Sequence, residues 1–176
     1  MLPTILLFGL AAGVIVVVPM FTLIVLSEPG EMGGSMFVGY LIMVLALSLI
    51  FIGVKRYRDR VRGGVIPFLP ALLAGLGISA VAGVTYVIGW EITLALTNYT
   101  YASDYAAAAL ESARAKGASP EEIEKLSAHM ATFQVQYANP LLRVPMTFVE
   151  IFPVGLLVSL ISAALLRNSR FMPARR

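Results

Sequence analysis

The chain contains no cysteine, and only 13% of its 176 residues carry a charge. The absence of cysteine excludes disulfides, thiolate metal ligands, iron–sulfur clusters and cysteine nucleophiles. There is a single histidine, His129, and there are only two aspartates, Asp59 and Asp104. No serine–histidine–aspartate set, HExxH motif or glycine-rich phosphate loop can be assembled from these residues. We therefore predict a protein that is not an enzyme and that binds no cofactor or metal.

Apolar residues make up 59% of the chain, whereas soluble domains have about 45–50%. A core of this size cannot bury so large an excess, so lipid must cover the remainder. Four uncharged or nearly uncharged runs predict membrane helices at about 2–26, 36–54, 66–96 and 143–166. A helix of 25 residues is about 37 Å long, which exceeds the hydrocarbon thickness of about 30 Å. The predicted fold class is all-α, an integral membrane four-helix bundle forming one domain over 1–176.

The basic residues predict how the bundle is oriented. Nine of the thirteen lysines and arginines lie in the predicted loop 55–62 or after Leu166. Four crossings place these two segments on one side, and lysine and arginine favour the cytoplasmic side. Both termini are therefore expected in the cytoplasm. The acidic loop 27–35 and the segment 98–139 are expected outside.

The sequence of the segment 98–139 predicts a helical hairpin between the third and fourth membrane helices. Ser119-Pro120-Glu121-Glu122 is typical of a capped helix start, and Gly117 would end the preceding helix. One apolar stripe follows at helical spacing, formed by Ile123, Leu126, Met130, Phe133 and Tyr137. The stripe either packs inside the hairpin or docks a periplasmic partner. His129 lies off the stripe and is expected on the surface.

Glu150 is the least expected residue in the four apolar runs. Sixteen residues separate it from Leu166, which places it about 24 Å from the cytoplasmic boundary. An ionised carboxylate at such a depth costs about 2.5–3.5 kcal/mol unless it is paired, protonated or hydrated. Glu91 and Arg143 fall near the outer boundary, where they can form an ion pair between the third and fourth helices.

Two interpretations of these groups remain open. In one, Glu150, Glu91 and Arg143 line an outward-facing pocket for a proton, a cation or a small polar ligand. The further lining residues would be Tyr86, Trp90 and Thr147. In the other, the same groups form a hydrogen-bonded network that fixes how the third and fourth helices meet.

Small residues recur at four-residue spacing in three of the predicted membrane helices, where they let helix backbones approach closely. They are Gly9 and Gly13, then Gly75, Ser79 and Gly83, then Gly155 and Ser159. These positions predict packing within the chain or, alternatively, a homodimer face. Pro19 and Pro153 lie inside apolar runs and predict kinks.

A cluster of five basic residues follows the second apolar run. It consists of Lys55, Arg56, Arg58, Arg60 and Arg62. Such a cluster attracts anionic lipid head groups at about 1 kcal/mol per basic residue. Apart from Tyr57 it carries no aromatic side chain for base stacking, so nucleic acid is not an expected partner.

Two stretches resemble a known family. The first runs from Gly39-Tyr40 through Phe51–Asp59 to Gly63-Gly64, Phe68 and Gly75. The second is Thr147–Gly155 with Ser159–Ala163. Together they resemble a bacterial family of small four-helix inner-membrane proteins known only as a domain of unknown function. The resemblance implies a bacterial inner-membrane location and the four-helix topology, and it carries no activity, substrate or site residue.

Two functional hypotheses follow. The leading one is a non-enzymatic inner-membrane protein with a structural or partner-binding role through its periplasmic hairpin. Its partners would be membrane lipids and either a periplasmic protein or a second copy of the chain. The alternative is a small transporter or permeation protein that uses Glu150 and Glu91.

Overall fold

The computed structural model describes residues 1–26 and 36–174, and these fold into seven α-helices. They are α1 (Leu2–Leu26), α2 (Met36–Leu47), α3 (Leu49–Val61), α4 (Phe68–Leu96), α5 (Tyr101–Ala115), α6 (Pro120–Ala138) and α7 (Pro140–Leu166). Four stretches are long and apolar enough to cross a membrane, namely Leu2–Val25, Phe37–Val61, Phe68–Leu96 and Pro140–Leu166. Over these residues, the prediction of an all-helical fold with four helices long and apolar enough to cross a membrane is confirmed. The expected loop 27–35 and the last two arginines lie outside the described residues.

The second membrane helix differs from the sequence prediction at two points. It is interrupted at Ser48, whose hydroxyl donates to the carbonyl of Leu45 at 2.6 Å, a back-bond that bends helices. It also continues to Val61, so the segment 55–62 is mostly helix and the prediction of a loop was wrong. Lysine and arginine are good helix formers, and Lys55 pairs with Asp59 one turn later at 2.5 Å. Gly63 and Gly64 then end the helix with positive φ angles.

Helix α4 occupies the centre of the bundle and packs against both α1 and α7. It runs parallel to α1, because Gly9 faces Val81 and, further along, Val17 faces Gly89. A Cβ atom at Gly9 would lie 2.5 Å from the Cβ of Val81, so the two backbones are as close as glycine permits. The predicted small-residue positions of α1 therefore lie in a contact within the chain.

Helix α4 runs antiparallel to α7 through a second set of small residues. Gly75 faces Ser159, and Ser79 faces Gly155 four residues later, with both serines buried. A Cβ at Gly75 would be 2.9 Å from the Ser159 Cβ. Gly83 follows, with Phe148 lying over it. Close backbone approach of this kind maximises dispersion contact where lipid supplies no hydrophobic drive.

Helices α5 and α6 form a packed pair joined by a short turn, in which Gly117 has φ +78°. The predicted capping box is present: the Ser119 hydroxyl accepts from the Glu122 backbone N–H, and the Glu122 carboxylate accepts from the Ser119 N–H at 2.7 Å. This bond holds the pKa of Glu122 below its usual value, so the cap weakens only as the pH falls through that lowered pKa. Of the apolar stripe on α6, Met130 and Tyr137 are buried. The stripe thus packs inside the protein, and His129 is exposed.

Gly155→Ala tests the contact between α4 and α7. The new methyl group would collide with the Ser79 hydroxyl, and overpacking of this kind costs about 1–3 kcal/mol. We expect a lower melting temperature in detergent or nanodiscs, restored when Ser79→Gly is added. Gly39→Ala in α2 is the matched control, because a Cβ there meets nothing within 4 Å. If Gly155→Ala and Gly39→Ala lowered the melting temperature equally, the close contact between α4 and α7 at Gly155 would be contradicted.

Candidate functional site

An ion pair joins α4 to α7 at the end of the bundle that carries α5 and α6. Arg143 donates through Nε to Glu91 Oε1 at 2.8 Å and through Nη2 to Glu91 Oε2 at 2.6 Å. The Arg143 side chain is only 4% exposed and that of Glu91 28%. The structure therefore contains the ion pair expected from the sequence, in the two-pronged geometry that makes arginine–carboxylate pairs strong.

The same arginine also contacts the end of α6. Its Nη1 donates to the backbone carbonyl of Tyr137 at 2.9 Å. Its guanidinium lies 5.4 Å from the ring centre of Tyr99 and 5.9 Å from that of Tyr137, within the range of cation–π attraction. Arg143 thus fixes three elements, α4, α6 and α7, relative to one another.

Aromatic side chains form a second link between α4 and the α5–α6 pair. The Trp90 indole N–H donates to the Tyr137 hydroxyl at 2.6 Å, and both rings are buried. Tyr101 of α5 packs edge-on against Trp90, with ring centres 4.8 Å apart. Burial, with a smaller contribution from the charge of Glu150, raises the pKa of the Tyr101 hydroxyl to about 12, so it stays neutral. Phe133 extends the cluster along α6.

Thr147 lies buried in the contact between α7 and its neighbours. Its hydroxyl donates to the carbonyl of Arg143 in its own helix at 3.0 Å. This bond uses the only hydrogen that the hydroxyl can donate, so Thr147 has no donor left for a ligand.

Glu150 and Tyr86 form a separate pair, deeper in the bundle. The buried Tyr86 hydroxyl donates to Glu150 Oε2 at 3.1 Å, and it lies 3.5 Å from the Sδ of Met20 in α1. The Glu150 side chain itself is exposed at the protein surface. The six residues expected to line one pocket thus separate into two groups. Glu91, Arg143, Trp90 and Thr147 belong to the helix junction, and Tyr86 with Glu150 form a distinct site.

Arg58 does not contact lipid, and that part of the basic-cluster prediction was wrong. Its side chain is fully buried and donates through Nε to Asp59 at 2.7 Å. Its Nη1 donates to the carbonyl of Phe171 at 2.9 Å, and its Nη2 to that of Met172 at 2.5 Å. The segment after α7 therefore folds back over α3. Of the other four, Lys55 is half-buried, and the side chains of Arg56, Arg60 and Arg62 are exposed.

Two surface grooves accompany these sites. One, of about 670 Å³, lies between α5 and α6. The other, of about 370 Å³, lies between α4 and α7, and only apolar side chains line it. Within residues 1–26 and 36–174, no three histidine, aspartate or glutamate side chains come together as a metal site requires.

Some of these contacts had no signal in the sequence. Tyr137 stands out only as the last member of an apolar stripe, and Tyr101 is one of several tyrosines in a polar segment. Their roles depend on how the α5–α6 pair meets the end of α4, which no local pattern encodes. Arg58 is likewise indistinguishable by sequence from its exposed neighbours.

Four helices long and apolar enough to cross a membrane, packed around α4, indicate a helical membrane protein. The chain belongs to the DUF4199 family, described as proteins of unknown function, whose model matches residues 7–168. The resemblance to a family of unknown function is thereby confirmed. No curated protein and no solved structure matches the chain.

A double-mutant cycle on Glu91 and Arg143 measures how much the interaction between the two side chains contributes to the free energy of unfolding. Removing one partner of a buried pair leaves the other unpaired, so Arg143→Gln should lower the free energy of unfolding by about 3 kcal/mol. The double variant Glu91→Gln/Arg143→Gln should recover part of that loss. The control is the exposed pair Glu121–Lys125, where Lys125→Gln should cost at most about 1 kcal/mol. If the effects of the two single substitutions on the free energy of unfolding are strictly additive, the two side chains are not energetically coupled.

Arg58→Ala should release the chain after α7. Three hydrogen bonds to a buried guanidinium are lost, and we expect a destabilisation on the order of 3 kcal/mol. Trypsin should then cut after Arg170 faster in the variant than in the parent protein, as measured by mass spectrometry in detergent. Arg56→Ala, exposed on the same helix, is the control. Equal cleavage rates in the two variants would contradict the role assigned to Arg58.

Proposed function

We propose that this protein is a non-enzymatic component of a bacterial inner membrane, whose α5–α6 pair binds a protein partner in the periplasm. The observation that supports the proposal is the rigid attachment of α5 and α6 to the membrane helices. The Arg143 bonds to Glu91 and to the Tyr137 carbonyl, together with the Trp90–Tyr137 bond, tie its base to α4 and α7. A surface held in one orientation loses little conformational freedom when it binds.

The distribution of charge supports this orientation. Arg56, Arg60 and Arg62 are exposed at the end of the bundle opposite the α5–α6 pair. The segment 98–139 holds an excess of acids over bases: Asp104, Glu111, Glu121, Glu122 and Glu124 against Arg114, Lys116 and Lys125. Positive charge marks the cytoplasmic side, so both termini lie in the cytoplasm and the pair lies outside. The three exposed arginines can also bind anionic lipid head groups.

The groove between α5 and α6 is the proposed contact surface. Leu110 and Ile123 are half-buried in it, and the exposed side chains of Arg114 and Glu124 stand among its lining residues. An apolar patch beside charges of both signs suits a protein surface, which can fill the patch and pair the charges. Of the apolar stripe on α6, Ile123 lines the groove, whereas Met130 and Tyr137 are buried inside the protein. The partner is a periplasmic protein or a second copy of this chain.

The alternative function, transport or permeation through Glu150 and Glu91, has unequal support from the two carboxylates. Both oxygens of Glu91 accept hydrogen bonds from Arg143, so its charge is already paired within the protein. Glu150 has one hydrogen-bond donor, Tyr86, and an exposed side chain. The alternative therefore depends on Glu150 alone.

Single-cysteine variants test the proposal cleanly, because the chain has no cysteine of its own. In cells with a permeabilised outer membrane, a membrane-impermeant maleimide should label Ser112→Cys on α5 and should not label Arg60→Cys until the cells are lysed. A photoactivatable maleimide on Ser127→Cys, which lines the groove, should then form one discrete protein adduct. Ser112→Cys, exposed on α5 outside the groove, is the matched control for that adduct.

The outcomes separate the parts of the proposal. Labelling of Arg60→Cys in unlysed cells would overturn the orientation. Identical adducts from Ser127→Cys and Ser112→Cys, or none from either, would overturn the groove as a binding surface. An adduct that joins two differently tagged copies would identify the partner as the chain itself.

A further inference from the structure

The Tyr86 hydroxyl lies between two acceptors that belong to different helices. Glu150 Oε2 of α7 is 3.1 Å away, and Met20 Sδ of α1 is 3.5 Å away. A hydroxyl has one hydrogen to donate, and thioether sulfur is a weak acceptor. Tyr86 therefore donates to Glu150 while the carboxylate is ionised, and its preference for Glu150 falls once the carboxylate is neutral.

Glu150 has no cationic partner among the described residues. On its own helix the only nearby cation is Arg143, seven residues away and already bonded to Glu91. Helix α4 presents Tyr86, and the α5–α6 pair presents the neutral Tyr101 and Tyr137, both of whose hydroxyl pKa values are raised mainly by burial. Helices α1 and α2 contain no charged residue. The carboxylate is thus opposed by one hydroxyl and no positive charge.

The position of Glu150 makes this arrangement unfavourable for a permanent charge. Ten residues separate it from the start of α7 at Pro140, or about 15 Å along the helix, and the one charged residue between them, Arg143, is already bonded to Glu91. An exposed side chain at that depth meets hydrocarbon or a thin column of water. The penalty for a carboxylate there and the gain from one charge-assisted hydrogen bond are of similar size. Neither protonation state is therefore strongly excluded.

Helix α2 is loosely attached on the same half of the membrane. Ala46 and Leu47, next to the interruption at Ser48, are buried, whereas Val38, Tyr40 and Leu41 are exposed. The end of α2 that lies on the α5–α6 side thus contributes few side chains to the core. The Glu150 side chain, on the same half of the membrane, is likewise exposed.

We propose that Glu150 is an exchangeable proton-binding site of the membrane domain, with Tyr86 as the donor that stabilises its ionised form. A proton from the periplasmic side adds to a carboxylate oxygen and forms a neutral carboxylic acid. The bond from the Tyr86 hydroxyl then loses the negative charge that strengthened it. Proton uptake thereby weakens a link between α4 and α7. The site does not involve the groove between α5 and α6, so either proposal can fail without the other.

Infrared difference spectroscopy on the purified full-length chain in nanodiscs tests this proposal directly. The carbonyl band of a protonated carboxylic acid is recorded between about pH 6 and pH 9, above the range in which ordinary exposed carboxylates take up protons, in H₂O and in D₂O. The parent protein should show one such band that disappears as the pH rises and shifts in D₂O. The band should be missing from Glu150→Gln and unchanged in Glu124→Gln, which removes an exposed carboxylate on α6.

Tyr86→Phe provides an independent readout that does not require Glu150→Gln to fold. Loss of the donor should move the carbonyl band and raise the midpoint of its titration by about one pH unit. This shift corresponds to a roughly tenfold higher affinity of the carboxylate for the proton. Thermal melting should show Tyr86→Phe to be folded. The proposal is overturned if the parent and Glu150→Gln have the same carbonyl bands at every pH. It is equally overturned if the band neither titrates nor exchanges in D₂O, or if Tyr86→Phe leaves it unchanged.

Discussion

The bidentate bond between Arg143 and Glu91 is the contact on which the rest of the architecture depends. It connects the end of α4 to the start of α7, and the third donor of the same guanidinium connects both to the end of α6. A buried arginine with all of these bonds made holds its partners firmly, because losing any one leaves a buried polar group without its hydrogen bond. The α5–α6 pair has no membrane span of its own. Its placement follows from this one junction and from the aromatic rings packed beside it.

Away from the Arg143–Glu91 contact, the helices of the bundle are held together by close packing at small residues. Helix α4 touches α1 along one line of glycines and α7 along a line of glycines and serines, so three backbones approach closely through most of the membrane. Polar atoms are confined to a few positions, and most hydroxyls are satisfied within their own helices, as in Ser159 and Ser162. The buried Ser79 hydroxyl is the exception in the described chain, with no hydrogen-bond partner. Its place opposite Gly155 shows that steric fit, and not hydrogen bonding, sets this contact.

The sequence predicts the four membrane helices, the capping box at Ser119 and the Glu91–Arg143 pair because each depends on a local or nearly local pattern. Apolar length fixes the spans, and helical rise alone brings Glu91 and Arg143 to one level. The sequence does not predict the extent of α3, because a cluster of charges is typical of the end of a membrane helix, whereas Lys55 and Asp59 support a continued helix. The burial of Arg58 and the division of the candidate pocket into two sites depend on contacts between segments distant in sequence. Burial of a charge in particular cannot be inferred from its neighbours along the chain.

The bonds that Arg58 makes to Phe171 and Met172 have a bearing on biosynthesis. Arg58 leaves the ribosome more than a hundred residues before these two carbonyls do, so for most of synthesis its guanidinium lacks two of its final partners. A nascent chain that stops before Phe171 keeps a guanidinium with two donors that lack these partners. Synthesis through Met172 therefore completes the bonds of Arg58, and a polypeptide that stops before Phe171 differs physically at this place from one that continues past it.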